Sequence, residues 1–142
     1  MEPRLSLVTL GVADLARATT FYEGLGWKRA LKAAEGVAFF QLGGAALSLY
    51  PLDDLAADAG LQPAPLPPFR GLSLAHNVRT REDVDAIAAS VATLGGTIVK
   101  PPEEKFWGGY GAYFTDPDGH LWEIAWNPGF PLDEAGNLQI PD

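Results

Sequence analysis

Apolar positions change period several times along the chain, and each change marks an element. Residues 5–10, Leu-Ser-Leu-Val-Thr-Leu, form a short aliphatic run closed by Gly11, the pattern of a strand. Asp14 then precedes Leu15, Ala18, Tyr22 and Leu25, whose spacing of three or four predicts a helix capped by Asp14 and ended by Gly24 and Gly26. Residues 27–30, 36–42 and 45–50 read as three strands, the last two joined by a tight Gly43-Gly44 turn. The order is βαβββ.

Over residues 51–70 the composition shifts. Residues 53–59 permit one or two helical turns, whereas Leu61-Gln-Pro-Ala-Pro-Leu-Pro-Pro68 cannot sustain a helix and reads as an extended connector. Beyond it the order repeats. Residues 71–78 form a strand, and Thr80-Arg-Glu-Asp83 is a capping box with Asp in the place of Glu or Gln. Val84, Ile87, Ala88, Val91 and Leu94 follow at helical spacing, until Gly95-Gly96 ends the helix. Residues 97–100 are a strand and 101–109 a loop. The chain is thus read as a single α+β domain over 1–142, made of tandem βαβββ modules (5–50 and 71–128) that form a curved mixed sheet around a groove. In the tail, 129–142, Phe130, Leu132, Leu138 and Ile140 suit a small hairpin covering a sheet edge or a partner subunit, or else a disordered end.

Two aromatic-rich strands complete the second module around Asp116-Pro117-Asp118-Gly119, where Pro presets the turn and Gly leaves it with positive φ. On the returning strand His120, Trp122, Ile124 and Trp126 share one face, and Leu121, Glu123, Ala125 and Asn127 the other. Glu123 is therefore a carboxylate in mid-strand, either on a solvated face or in a groove. In an apolar groove, desolvation would raise its pKa and suit it to accept a proton or hold a cationic ligand.

Composition narrows the function. A formal charge of −8 disfavours nucleic acid and anionic membranes, which need basic patches, and leaves a neutral or cationic partner. The absence of Cys excludes thiolate chemistry, and no run approaches a membrane span or a secretory leader, so a cytoplasmic location is expected. Of the two His, His76 shares parity with Leu74 and Val78 on the helix side, and His120 follows the turn at the core edge; both read as structural.

The modules align through Val12 with Val78, Gly26 with Gly95, Phe39-Phe40 with Tyr113-Phe114, and Leu47-Ser48-Leu49 with Trp122-Glu123-Ile124. This duplication, the start Val-Ala-Asp-Leu…Phe-Tyr…Leu-Gly-Trp (12–27) and the end Tyr-Phe-Thr-Asp-Pro-Asp-Gly-His-Leu-Trp-Glu (113–123) resemble the vicinal oxygen chelate superfamily over about residues 5–128. That superfamily includes glyoxalase I, fosfomycin-resistance transferases, extradiol dioxygenases and bleomycin-resistance proteins. The resemblance implies a glyoxalase/bleomycin-resistance-like fold and a homodimer. In metal-dependent members the first strand of each module supplies a ligand, usually His, five residues before the Val that precedes the helix. The last strand of each supplies a carboxylate or similar group. Here those positions are Leu7, Ser73, Ser48 and Glu123. A divalent ion needs three or four N or O ligands, so no metal and no cofactor are expected.

The expected site is a groove in which Glu123 is the catalytic or charge-bearing group and Leu7, Phe39, Ser48, Ser73, Trp107 and Tyr113 contact the ligand. Tyr113 shares the orientation of Glu123, and the resembling fosfomycin-resistance proteins touch substrate with a Tyr there. Phe106, Trp107 and Tyr110 among Gly108, Gly109 and Gly111 suit an aromatic loop at the groove entrance, with core anchoring of at least one ring as the alternative. Two functions are compatible with these residues. One is a protein that binds a small aromatic or cationic molecule without metal. The other is a superfamily enzyme, a lyase, isomerase or dioxygenase, with Glu123 as base or metal ligand and Tyr113 as acid.

Overall fold

The structure is a computed structural model and describes residues 1–141; the last residue of the predicted tail, Asp142, lies outside them. The chain divides into two compact units, Met1–Pro67 and Pro68 onward, the division falling inside the predicted connector.

The first unit runs β1 (Leu7–Val12), α1 (Leu15–Gly24), β2 (Arg29–Ala30), β3 (Ala38–Leu42), β4 (Ala45–Pro51) and α2 (Leu52–Asp58). Its sheet has the order β1-β4-β3-β2, with β1 parallel to β4 and the other pairs antiparallel. The Asp14 side chain accepts from the Arg17 amide at 2.9 Å and starts α1 as its sequence predicts. Ala18, Phe21 and Tyr22 of α1 are buried, as are Leu10, Val12, Ala38, Phe40, Leu47 and Leu49 on one face of the sheet. Tyr22 stacks on Trp27 with centroids 5.2 Å apart and meets Phe40 at 5.9 Å, and each such ring adds roughly 1.5–3 kcal/mol by leaving water. Gly11 does not close the strand, which continues to Val12. Its place is explained by packing: a Cβ there would stand 2.7 Å from Leu52 Cδ1, so the missing side chain admits α2 against that end of the sheet.

The second unit runs β5 (Leu74–Asn77), α3 (Arg81–Thr93), β6 (Thr97–Glu104), β7 (Tyr110–Thr115) and β8 (Leu121–Trp126), with the corresponding order β5-β8-β7-β6. The Thr80–Asp83 capping box forms with both of its bonds, each 3.1 Å. Gly95 follows α3 with φ +94, as Gly26 follows α1 with φ +96, so both helices end on a left-handed residue that favours glycine. Val84, Ala88 and Val91 are buried together with Ala112, Phe114, Trp122 and Ile124, and Phe114 and Trp122 stack 6.3 Å apart. One boundary differs from expectation: β6 continues through Pro101 and Pro102 to Glu104, where the sequence reads as a loop. It is the edge strand, its register shifts twice against β7, and an edge position with bulges tolerates residues that cannot donate.

Candidate functional site

Glu123 sits in the middle of β8, an inner strand. Its register partners are Tyr113 on β7 and Ala75 on β5, and paired residues project from the same face, so these three side chains stand side by side. The opposite face carries Phe114, Trp122 and Ile124 toward α3. On the Glu123 face lies a cleft of about 620 Å³. Ala75 and Asn77, Tyr113, and Glu123, Ala125 and Asn127 form its floor. Trp107 from the β6–β7 loop and Phe130 and Leu138 from the tail form its walls.

The Tyr113 and Glu123 side chains are direct neighbours across the β7–β8 pair. Burial, and then the neighbouring Glu123 carboxylate, raise the Tyr113 phenol above its ordinary value, so it remains a neutral donor at physiological pH. Beneath the ring lies Lys105: its side chain is only 8% exposed, and its ammonium stands 5.2 Å from the Tyr113 centroid and 3.4 Å from Glu103 Oε1. The floor thus combines a carboxylate, a neutral phenol and two amides, with a buried cation behind the phenol.

Local geometry delivers Trp107 to the cleft. Gly108 N donates to Lys105 O at 2.9 Å and Lys105 N to Gly109 O at 2.8 Å, closing a tight loop between β6 and β7. The indole packs against Gly109, where a Cβ would come within 1.7 Å of Trp107 Cζ3 and 2.6 Å of the Trp126 carbonyl. Only glycine leaves room for that ring.

Of the expected site residues, Glu123, Tyr113 and Trp107 come together in this cleft. Ser73 is exposed just ahead of β5, and Ala75, two residues on, is the neighbour of Glu123. Leu7, Phe39 and Ser48 belong to the first unit. Leu7 is 42% exposed at the start of β1, while Phe39 is half-buried and pairs with Ser48 across β3–β4. Ser48 is 2% exposed, with its hydroxyl 2.6 Å from that of Thr9, so it is engaged within its own sheet. Phe106 is fully exposed, and Tyr110 turns to the helix side, where its hydroxyl donates to Asp85 at 2.9 Å. The parity of β7 already separates Tyr110 from Tyr113, which is three residues away.

Asn77, Asn127, Phe130, Leu138 and Lys105 were not anticipated. Strand parity with Ala75 and Glu123 points to the two Asn; nothing in the sequence marks Lys105 as buried. Neither His lines the cleft. His76 pairs with Ile124 on the helix face, where a good part of its surface stays in solvent; partial desolvation lowers its pKa while nearby Asp83 pulls the other way. Arg70 Nη1 donates to His120 Nδ1 at 2.8 Å, and Nη2 to Asp118 O at 2.7 Å, which pins the β7–β8 turn.

The donor set does not fit a divalent metal. Leu7 has no donor atom, the Ser48 hydroxyl is bonded to Thr9 and Ser73 lies outside the cleft. Among the described residues no group of three or more His, Cys, Asp or Glu is placed to hold an ion. Nor is any helix among them long and apolar enough to cross a membrane.

A sequence model of the Glyoxalase/Bleomycin resistance protein/Dioxygenase superfamily matches residues 4–124. The chain belongs to that superfamily. A glyoxalase-related enzyme from Fulvimarina pelagi is 32% identical, with a TM-score of 0.91 and 99% of each chain covered. A lactoylglutathione lyase from Agrobacterium tumefaciens (20% identical, TM-score 0.67, 88% and 94% covered) and a fosfomycin resistance protein from Mesorhizobium loti (24%, 0.64, 89% and 93%) share the glyoxalase fold. Those names span different activities, so membership fixes the scaffold of this superfamily chain and leaves its chemistry to the side chains of the cleft.

Proposed function

We propose that this superfamily member binds a small, flat molecule, aromatic or cationic, in the Glu123 cleft without a divalent metal. The observation that carries the reading is the Glu123–Tyr113 pair on the floor of a cleft whose walls leave apolar surface in solvent: Trp107 is 37%, Phe130 37% and Leu138 40% exposed. A ligand covering those three side chains gains hydrophobic free energy, while the carboxylate accepts from its ammonium or N–H group and Tyr113 donates to an acceptor. The acidic balance of the chain favours cations at longer range. The test is titration of wild type and Glu123→Gln with 9-aminoacridine, a flat cation. Loss of a charge-assisted contact weakens binding by about tenfold or more. Equal affinity of the two proteins would remove Glu123 from the site.

A second reading rests on the Fulvimarina pelagi relative, described as a glyoxalase-related enzyme. Glu123 would take a proton from an acidic carbon of the substrate while Tyr113 gives one to the oxygen that gains charge, a metal-free isomerase or lyase step. Turnover that Tyr113→Phe abolishes with little change in substrate affinity distinguishes this reading from simple binding.

A homodimer is the assembly proposed, by family resemblance and because Leu61, Leu66, Phe69 and Leu72 leave apolar side chains in solvent. Light scattering at micromolar concentration reports a doubled mass; a monomer mass refutes it.

A further inference from the structure

We infer that the C-terminal hairpin sets the ligand preference of the cleft, with Phe130 and Leu138 as specificity-determining residues and Arg79 as the positioning residue that holds them. The inference rests on the proposed binding role of the cleft. The family model ends at residue 124, so Asn127, Phe130 and Leu138 are cleft residues supplied by a segment beyond it.

That segment is ordered by bonds of its own. Asn127 Oδ1 accepts from Gly129 N at 2.9 Å, Leu132 pairs with Leu138, and Asp133 accepts from Asn137 at both its backbone amide, 2.8 Å, and its side-chain amide, 2.9 Å. Arg79, just beyond β5, straps the hairpin in place. Its Nη2 donates to Asp133 O at 2.6 Å and Glu134 O at 3.3 Å, and its Nη1 to Leu132 O at 3.5 Å. A guanidinium directed at three successive carbonyls fixes backbone rather than a side chain, so the position of Phe130 and Leu138 depends on it. The preferred class is a flat cation with more than one fused ring, large enough to reach these tail residues while its cationic group stays at Glu123.

Two flat cations of different extent test this: 9-aminoacridine with three fused rings and 4-aminopyridine with one. Calorimetric titrations of wild type, Phe130→Ala, Leu138→Ala and Arg79→Ala give the ratio of the two affinities, and circular-dichroism melts check that each variant is folded. Phe130→Ala and Leu138→Ala are each expected to weaken the three-ring probe by about tenfold and the one-ring probe by less than about twofold. Arg79→Ala is expected to lower the ratio in the same way without touching either probe. An unchanged ratio in the two hairpin variants overturns the inference. If Glu123→Gln weakens both probes in the same experiment, the cleft remains a binding site and only the role of the hairpin falls. If wild type binds neither probe, the reading of the cleft and this inference fall together.

Discussion

Two copies of one strand order carry the same register and opposite uses. In the first unit Ser48 pairs with Phe39 and Thr9; in the second Glu123 pairs with Tyr113 and Ala75 at the corresponding places. Ser48 is sealed, its hydroxyl bonded to Thr9, whereas Glu123 lies on the floor of a cleft. Covering segments differ as well. Beside β1 the helix α2 packs on the backbone of Gly11, filling space with Leu52; on the second sheet Trp107 and the tail hairpin stand as walls and leave the floor open. The duplicated scaffold thus differs in cover: in the first sheet the Ser48 hydroxyl is sealed and α2 packs at the Gly11 end, whereas in the second the Glu123 face lies open as a cleft.

The largest expected effect tests how each covering segment is seated. Gly109→Ala forces the Trp107 ring and the Trp126 carbonyl apart, and backbone cannot yield cheaply, so a loss of at least about 2 kcal/mol is expected in urea melts. Affinity for 9-aminoacridine should fall with it as the indole leaves the cleft. Gly11→Ala meets mainly the end of the flexible Leu52 side chain and should cost about 1 kcal/mol or less, with probe affinity unchanged. Equal costs would mean that α2 is held as rigidly as the Trp107 loop.

A smaller effect separates the two paired positions. Ser48→Ala leaves the half-buried Thr9 hydroxyl without its partner and should lower stability by about 1 kcal/mol. Glu123→Gln keeps the shape of the side chain and a partner for Tyr113, and its stability should be equal or raised by about 1 kcal/mol while probe binding weakens. Clear destabilisation by Glu123→Gln with unchanged probe affinity would make Glu123 a structural residue like Ser48 and erase the contrast.

Local chemistry was the legible part of this chain. Asp14, the Thr80–Asp83 box and the Asp116–Gly119 turn act over three or four residues, so their outcome depends little on the rest of the fold. Period two likewise sets Glu123 and Tyr113 on one face. What escaped depends on contacts distant in sequence. Gly11 reads as a strand stop until Leu52 is seen against it, and Pro101-Pro102 reads as a loop until β6 is seen to be an edge. Lys105 is buried because Tyr113 and Glu103 converge on it, and Phe130 and Leu138 matter because Arg79 holds the tail beside β5. No periodicity records such meetings.

Neither unit carries the ligand pattern of a metal-dependent member. Metal-dependent superfamily members, by the resemblance, draw one ligand from each of four strand positions; here these hold Leu7, Ser48, Ser73 and Glu123, of which only Glu123 is a carboxylate. A resident ion present at a hundred times its Kd would add about 2.7 kcal/mol to stability, because it binds the folded chain and not the unfolded one. For a chain of this length that amounts to roughly 5–10 °C in Tm. A lone carboxylate beside a neutral phenol cannot hold an ion with that strength, so excess EDTA is expected to move the Tm of freshly purified protein by less than about 1 °C. A fall of several degrees, restored by one added divalent ion and absent in Glu123→Gln, would show that Glu123 has ligand companions at other positions. It would also mean that the open face of the second sheet is a metal centre rather than a binding cleft.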